Sequence, residues 1–247
     1  MIGSEGMVDT GRRRLWAALA CLVIFLMSAT AYFDVYYKAG DAARAAMVSD
    51  DSVRVSREKD FIAFDGPGDT SALVFYPGAK VEPTAYAPLL KAVAALGVDG
   101  FLIEPPLRIA LMDAEAAGRV MAARDYPRWF LAGHSLGGVA AAACAAKHPD
   151  QVEGLILLSS YPTSALPENL RLLSIYGSND EVLNRSNYEK QRALWPDNSL
   201  ERVIDGANHA GFGDYGPQRG DGAAEITAEQ QRTATAEYIA AFCIDAA

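Results

Sequence analysis

The sequence predicts an α/β fold, a mostly parallel sheet flanked by helices, over residues 61–247, and three observations carry that expectation. From Phe61 onward, short apolar runs rich in β-formers alternate with longer alanine-rich stretches of helical period, the pattern of successive β-α units. The strand candidates are apolar enough to be buried, as in a parallel sheet covered by helices. The last helical stretch opens on Thr227, a good N-cap.

Taken in order, residues 34–60 are polar and charged, with helical character near Ala42 to Met47, and read as a stalk running into a first edge strand. The first core strand is Ala72–Tyr76, followed by a helix over Thr84–Leu96. The strand Gly100–Ile103 leads to a helix over Asp113–Ala123, and Trp129–Ala132 leads to a helix over Leu136–Lys147. Then come the strands Leu155–Ser159 and Leu172–Tyr176, a helix over Ser186–Leu194, the strand Leu200–Ile204 and the final helix Thr227–Phe242. Between the strands ending at Ser159 and starting at Leu172, only Tyr161–Glu168 is left over, too little for an inserted lid domain. Neither an internal repeat nor a low-complexity tract interrupts the series.

The N-terminus is different in kind. Leu15 to Phe33 is a nineteen-residue run without a charge, preceded by Arg12, Arg13 and Arg14. Such a run is long enough to span a bilayer, and arginines in front of it stay on the cytoplasmic side. The expected organisation is therefore a cytoplasmic segment 1–14, a transmembrane signal-anchor 15–33 and an extracytoplasmic domain on the cell membrane. The alternative is a signal peptide cleaved near Ala31, where Ala29-Thr30-Ala31 forms a small-residue site, leaving a secreted protein.

Composition narrows the function classes. The chain has 247 residues, 51% hydrophobic and 21% charged, with 22 Lys and Arg against 31 Asp and Glu. A formal charge of −9 argues against a nucleic-acid partner, which needs a broad basic surface. Three scattered cysteines, Cys21, Cys144 and Cys243, give neither a disulfide framework nor zinc-ligand spacing, so no metal is expected. Cys144 and Cys243 fall on apolar helical stretches and read as core residues.

The chemistry concentrates in a few segments. Gly133-His134-Ser135-Leu136-Gly137, between a strand and a helix, has the form of a nucleophile elbow, in which glycines leave room for a serine held in a strained backbone conformation. A base must take the serine proton, and the histidines are His134, His148 and His209. His134 sits inside the elbow with its side chain directed elsewhere, and His148 ends a helix before Pro149, which leaves His209 in a loop after the last strand. The orienting acid is expected just past the strand before it, at Asp180; Glu181 and Asp205 are the poorer choices. Oxyanion donors are expected from the backbone N–H of Leu136 and of Ala79, in the loop Phe75-Tyr76-Pro77-Gly78-Ala79-Lys80. Lys80, Tyr161 and Phe212 are further pocket candidates, Phe212 within a glycine-rich loop that continues through Asp214, Tyr215, Gln218 and Asp221.

With Ser135, Asp180 and His209 in that chain order, the sequence resembles the α/β-hydrolase family from about Phe61 to the C-terminus. It also resembles a narrower bacterial branch, often membrane-anchored and distantly similar to dienelactone hydrolases, through FYPGAKVEPTAY, GHSLGG, GSND and NHAGFGDYG. Dienelactone hydrolases proper use cysteine where this chain has Ser135, so their activity does not carry over. The resemblance implies a serine hydrolase acting on a small-molecule carboxylic ester without cofactor, and the lack of a lid or long apolar insert points to a short or medium acyl group. The alternatives are acyl transfer to an envelope alcohol or glycan, and a non-catalytic binding domain on the same fold.

Overall fold

The computed structural model describes residues 12, 14–24, 27 and 34–245. The chain divides into two compact units, 1–36 and 37–247. In the first, residues 14–24 are helical. Most of the expected cytoplasmic segment 1–14, and residues 25–26 and 28–33 of the expected transmembrane segment 15–33 with the alternative cleavage position near Ala31, lie outside the described residues. Among the described residues no helix is long and apolar enough to cross a membrane.

The second unit is built on strands that are buried on both faces. Successive side chains of a strand point to opposite sides, so in β3 (Ser71–Tyr76) Leu73 and Phe75 enter one core while Ala72, Val74 and Tyr76 enter the other. The same division holds in β5 (Arg128–His134), with Phe130 and Ala132 on one side and Trp129 and Leu131 on the other. The remaining strands are β1 (Arg54–Arg57), β2 (Phe61–Asp65), β4 (Val98–Ile103), β6 (Gly154–Leu158), β7 (Arg171–Gly177) and β8 (Ser199–Ile204). They form an eight-stranded sheet in the order β1-β2-β4-β3-β5-β6-β7-β8. The pairs β1-β2 and β2-β4 are antiparallel and the rest are parallel. Register places Tyr76 beside Gly133, His134 beside Leu158, and Gly177 beside Ile204, so the C-terminal ends of β3 and β5 to β8 share one edge.

Helices cover both faces, as a parallel sheet demands. Helices α1 (Asp41–Ala46), α2 (Ala87–Ala95) and α6 (Ala228–Ile244) supply Ala43, Leu90, Val93 and Ile239 to one core. Helices α3 (Ala116–Ala123) and α4 (Leu136–Lys147) supply Val120, Ala141, Cys144 and Ala145 to the other. A short α5 (Arg185–Gln191) follows β7. Thr227 caps α6 in a reciprocal box, its hydroxyl accepting from the Gln230 amide at 3.1 Å while the Gln230 side chain accepts from the Thr227 amide at 2.9 Å.

Two expectations change. The helix expected from Asp113 starts at Ala116, behind 3-10 turns at Pro106–Arg108 and Ala110–Asp113. Residues 37–60 do not stand off as a stalk but belong to the folded unit. Ala39, Ala43 and Val53 are buried, Tyr37 bridges to Val81, and the Gly40 and Ala43 amides donate to the backbone and carboxylate of Asp214 at 2.7 Å each. Only those small apolar side chains are fully buried, with Tyr37, Ala46, Met47 and Val55 half-buried against the same core among charged neighbours, a signal too thin to read from periodicity.

One junction constrains the rest. A single residue, Ser135, joins β5 to α4, and the turn closes because glycines flank it. A Cβ on Gly137 would lie 2.2 Å from the Tyr76 carbonyl oxygen and one on Gly133 would lie 2.4 Å from the Gly137 carbonyl, both backbone obstacles that cannot swing away. Gly137→Ala is therefore expected to destabilise by about 3 kcal/mol or more, read as the shift of a urea midpoint. Gly118→Ala in α3, where an added Cβ meets nothing within 4 Å, should be neutral or stabilising in the same assay.

Candidate active site

Ser135 is held at φ 53°, ψ −125°, a conformation that costs a non-glycine residue about 1–3 kcal/mol and persists only where its surroundings fix it. Three hydrogen bonds do so. Its amide donates to the Leu158 carbonyl at 2.9 Å, and its own carbonyl accepts from the Gly138 amide at 3.0 Å and the Ser160 hydroxyl at 2.7 Å. The serine thus sits on the sheet edge where the parallel strands end.

Asp180 and His209 reach that edge from the ends of β7 and β8. The His209 Nδ1 lies 2.9 Å from Asp180 Oδ2, with His209 1% and Asp180 6% exposed. The other Asp180 oxygen accepts from the amides of Val182 and Leu183 at 2.9 and 2.8 Å. Burial pushes the Asp180 carboxyl up, but the hydrogen bond and electrostatic attraction of the His209 ring, with the Leu183 amide, outweigh it and hold the group below the ordinary carboxylate value. A buried carboxylate that stays ionised fixes the proton of the neutral ring on Nδ1 and leaves Nε2 as the basic nitrogen. Among the described residues that Nε2 is buried and makes no hydrogen bond. The rival acids are placed elsewhere: Glu181 and Asp205 are exposed, and the Asp205 carboxylate accepts only a 3.3 Å bond from the Ser178 hydroxyl.

The glycine-rich loop after His209 has a structural task that the sequence did not reveal. Its Asp221 carboxylate accepts from the amides of His209 at 3.1 Å and Ala210 at 2.8 Å, capping the 3-10 turn that carries the histidine. From α6, the buried Gln231 side chain pairs with the backbone of Asn208, accepting from its N–H at 3.2 Å and donating to its carbonyl at 2.7 Å. Arg232 donates to the Gly213 carbonyl at 3.0 Å. No spacing rule points to these contacts, because they join the loop to itself and to a helix that begins almost twenty residues later.

Ser135 and His209 line one cavity of about 200 Å³, walled by Leu136, Val139, Tyr161, Val182 and Leu183. Leu136 lines this cavity and Ala79 does not, and the backbone amides of both make no hydrogen bond among the described residues. The Lys80 amide is already taken by the Arg108 carbonyl at 3.0 Å. Of the further pocket candidates, Tyr161 lines the cavity and Lys80 and Phe212 do not. Phe212 is fully buried in the core against His134, with ring centroids 5.5 Å apart, because the capped turn rolls its side chain inward. The loop beyond it encloses a separate hollow of about 510 Å³ instead of walling the Ser135 cavity.

The His134 side chain is directed away from the Ser135 cavity, as expected, with its Nδ1 2.7 Å from the Tyr86 hydroxyl. Its ring turns back under the site, with its centroid 4.4 Å from that of His209. At the far end of α4, His148 pairs with Glu115 at 2.9 Å, and Glu115, Cys144 and His148 bring their donor atoms within 4.8 Å of one another. The Lys147 ammonium already holds that carboxylate at 2.7 Å, so the cluster is satisfied as an ion pair.

The order of strands and the placement of a serine, a histidine and an acid at their ends invite comparison with known proteins. No curated protein matches the sequence. Among solved structures, a predicted CIB-like hydrolase from Thermoplasma acidophilum superposes with a TM-score of 0.56 at 14% identity, over 76% of this chain and 99% of that one. Est1E from Butyrivibrio proteoclasticus gives 0.52 at 15% identity, over 76% and 97%. The esterase domain of a Rhodothermus marinus protein gives 0.55 at 15%, over 77% and 97%. Identities this low speak to the fold alone. Residues 72–233, about two thirds of the chain, match the alpha/beta hydrolase family, and the chain belongs to that family.

Proposed function

We propose that this hydrolase cleaves a carboxylic ester with a short acyl group through an acyl-enzyme on Ser135. The observation that carries the proposal is the buried 2.9 Å bond between Asp180 and His209, with Ser135 strained into the same small cavity. In the first half-reaction His209 Nε2 takes the hydroxyl proton as Oγ attacks the ester carbonyl carbon. The same proton then goes to the leaving alcohol, and the acyl group stays on Ser135. In the second half, His209 takes a proton from water, the hydroxide attacks the acyl carbon, and the acid leaves as Ser135 regains its proton. The unbonded amides of Ala79 and Leu136 are the donors for the oxyanion in both halves. That His209 Nε2 makes no hydrogen bond among the described residues fits this, since such bonds often tighten only when substrate is present.

Cavity size supports the short acyl group: about 200 Å³, lined by apolar side chains such as Val139 and Leu183 and by polar ones such as Ser160 and Asn184, lies below the usual range for ligand pockets. Est1E and the esterase domain on the same fold are consistent with an esterase. The apolar run 15–33 behind three arginines supports an extracytoplasmic address, either anchored or released after cleavage near Ala31.

With purified protein, p-nitrophenyl acetate and butyrate should be hydrolysed far faster than the dodecanoate, and Ser135→Ala should abolish the activity. A wild type inert on all three esters contradicts the proposal. The acid has its own comparison: Asp180→Asn should lower kcat roughly 10³- to 10⁴-fold, whereas Asp205→Asn should leave it unchanged. The reverse result would move the acid to Asp205.

A further inference from the structure

Beneath the Ser135 cavity, two buried polar side chains connect loops that the proposed chemistry uses but do not take part in it. Tyr86, fully buried, accepts the Gly78 N–H on its hydroxyl at 3.1 Å and stands 2.7 Å from His134 Nδ1. With the amide on one lone pair, the hydroxyl keeps its single hydrogen for Nδ1. In that arrangement His134 is the Nε2–H tautomer. Gly78 belongs to the loop that presents the Ala79 amide, and the His134 ring packs on the rings of His209 and Phe212.

We propose that Tyr86 and His134 form a positioning relay that holds the Gly78–Ala79 loop in register with the His209 ring, so that oxyanion donor and base face one acyl carbon. The inference rests on the esterase reading above. Neither residue touches substrate; each acts by fixing a neighbour. The surroundings suit a relay that never carries charge: burial first, and then His209 beside it, keep the His134 imidazole neutral by pushing its pKa well below the ordinary value, against an opposing pull from Asp180. Burial likewise raises the Tyr86 phenol far above neutrality. A space constraint reinforces the geometry, since a Cβ on Gly78 would lie 2.8 Å from the Tyr86 hydroxyl and 3.0 Å from His134 Nδ1. Glycine lets the loop descend onto both.

Tyr86→Phe removes the hydroxyl and keeps the ring. It should lower kcat for p-nitrophenyl acetate about tenfold to a hundredfold with KM little changed, as a small misplacement of catalytic groups does. Tyr126→Phe, which deletes a half-buried phenol bond to Asp99 at the opposite end of the sheet, should keep wild-type kcat. His134→Asn, which retains an acceptor near the Nδ1 position, should keep more activity than His134→Leu. Imidazole ¹⁵N NMR of the wild type should find His134 protonated on Nε2 with Nδ1 accepting, and Tyr86→Phe should abolish that signature. Wild-type kcat in Tyr86→Phe, or His134 protonated on Nδ1, overturns the relay. If the wild type is inert toward esters, the esterase reading fails by itself and the NMR result decides the relay.

Discussion

Gly137 lies so close to the carbonyls of Tyr76 and Pro77 that no side chain fits between them, and that contact fixes where α4 begins relative to the sheet. Because α4 starts there, one residue must turn the chain from β5 into the helix, and Ser135 takes a backbone conformation that other positions would relax. The strain is held by the Leu158, Gly138 and Ser160 bonds rather than by the serine itself. Everything at the site inherits this junction: the Leu136 amide is unbonded because it opens the helix, and the cavity exists because the elbow lifts Ser135 off the sheet edge.

Around that junction, charge is managed by burial and by backbone donors. Asp180 is the buried acid of the site, and it stays ionised because two amides and His209 bond to it. His134, closer in sequence to Ser135 and equally buried, is kept neutral. Two histidines with rings 4.4 Å apart therefore differ in partner: one faces a carboxylate, the other a phenol. A single carboxylate among them sets the two imidazoles apart, and the one it faces, the base of the proposed mechanism, is on the loop that Asp221 and Gln231 anchor.

Much of this was legible in the sequence because it is encoded locally. The six core strands from Ala72 to Ile204 announced themselves as short apolar runs, the elbow as glycines at fixed offsets, and α6 by Thr227. Asp180 and His209 followed from chain order and from their places just past strand ends. What stayed hidden depends on side chains meeting across long separations. Asp221 capping the His209 turn, Gln231 gripping Asn208, and Tyr86 reaching His134 leave no periodic trace. Phe212 looked like a pocket residue because it follows the base closely, yet the capped turn buries it. Residues 37–60 looked like a stalk because their few buried positions are alanine and valine among charges.

The account stands on a covalent step at Ser135, and the most direct measurement is the intact mass of the protein quenched in acid milliseconds after mixing with p-nitrophenyl butyrate, followed by peptide mapping. It predicts a transient butyryl adduct on the peptide containing Ser135, decaying as the acid is released. Turnover with no adduct, or an adduct mapped to another residue, would contradict it.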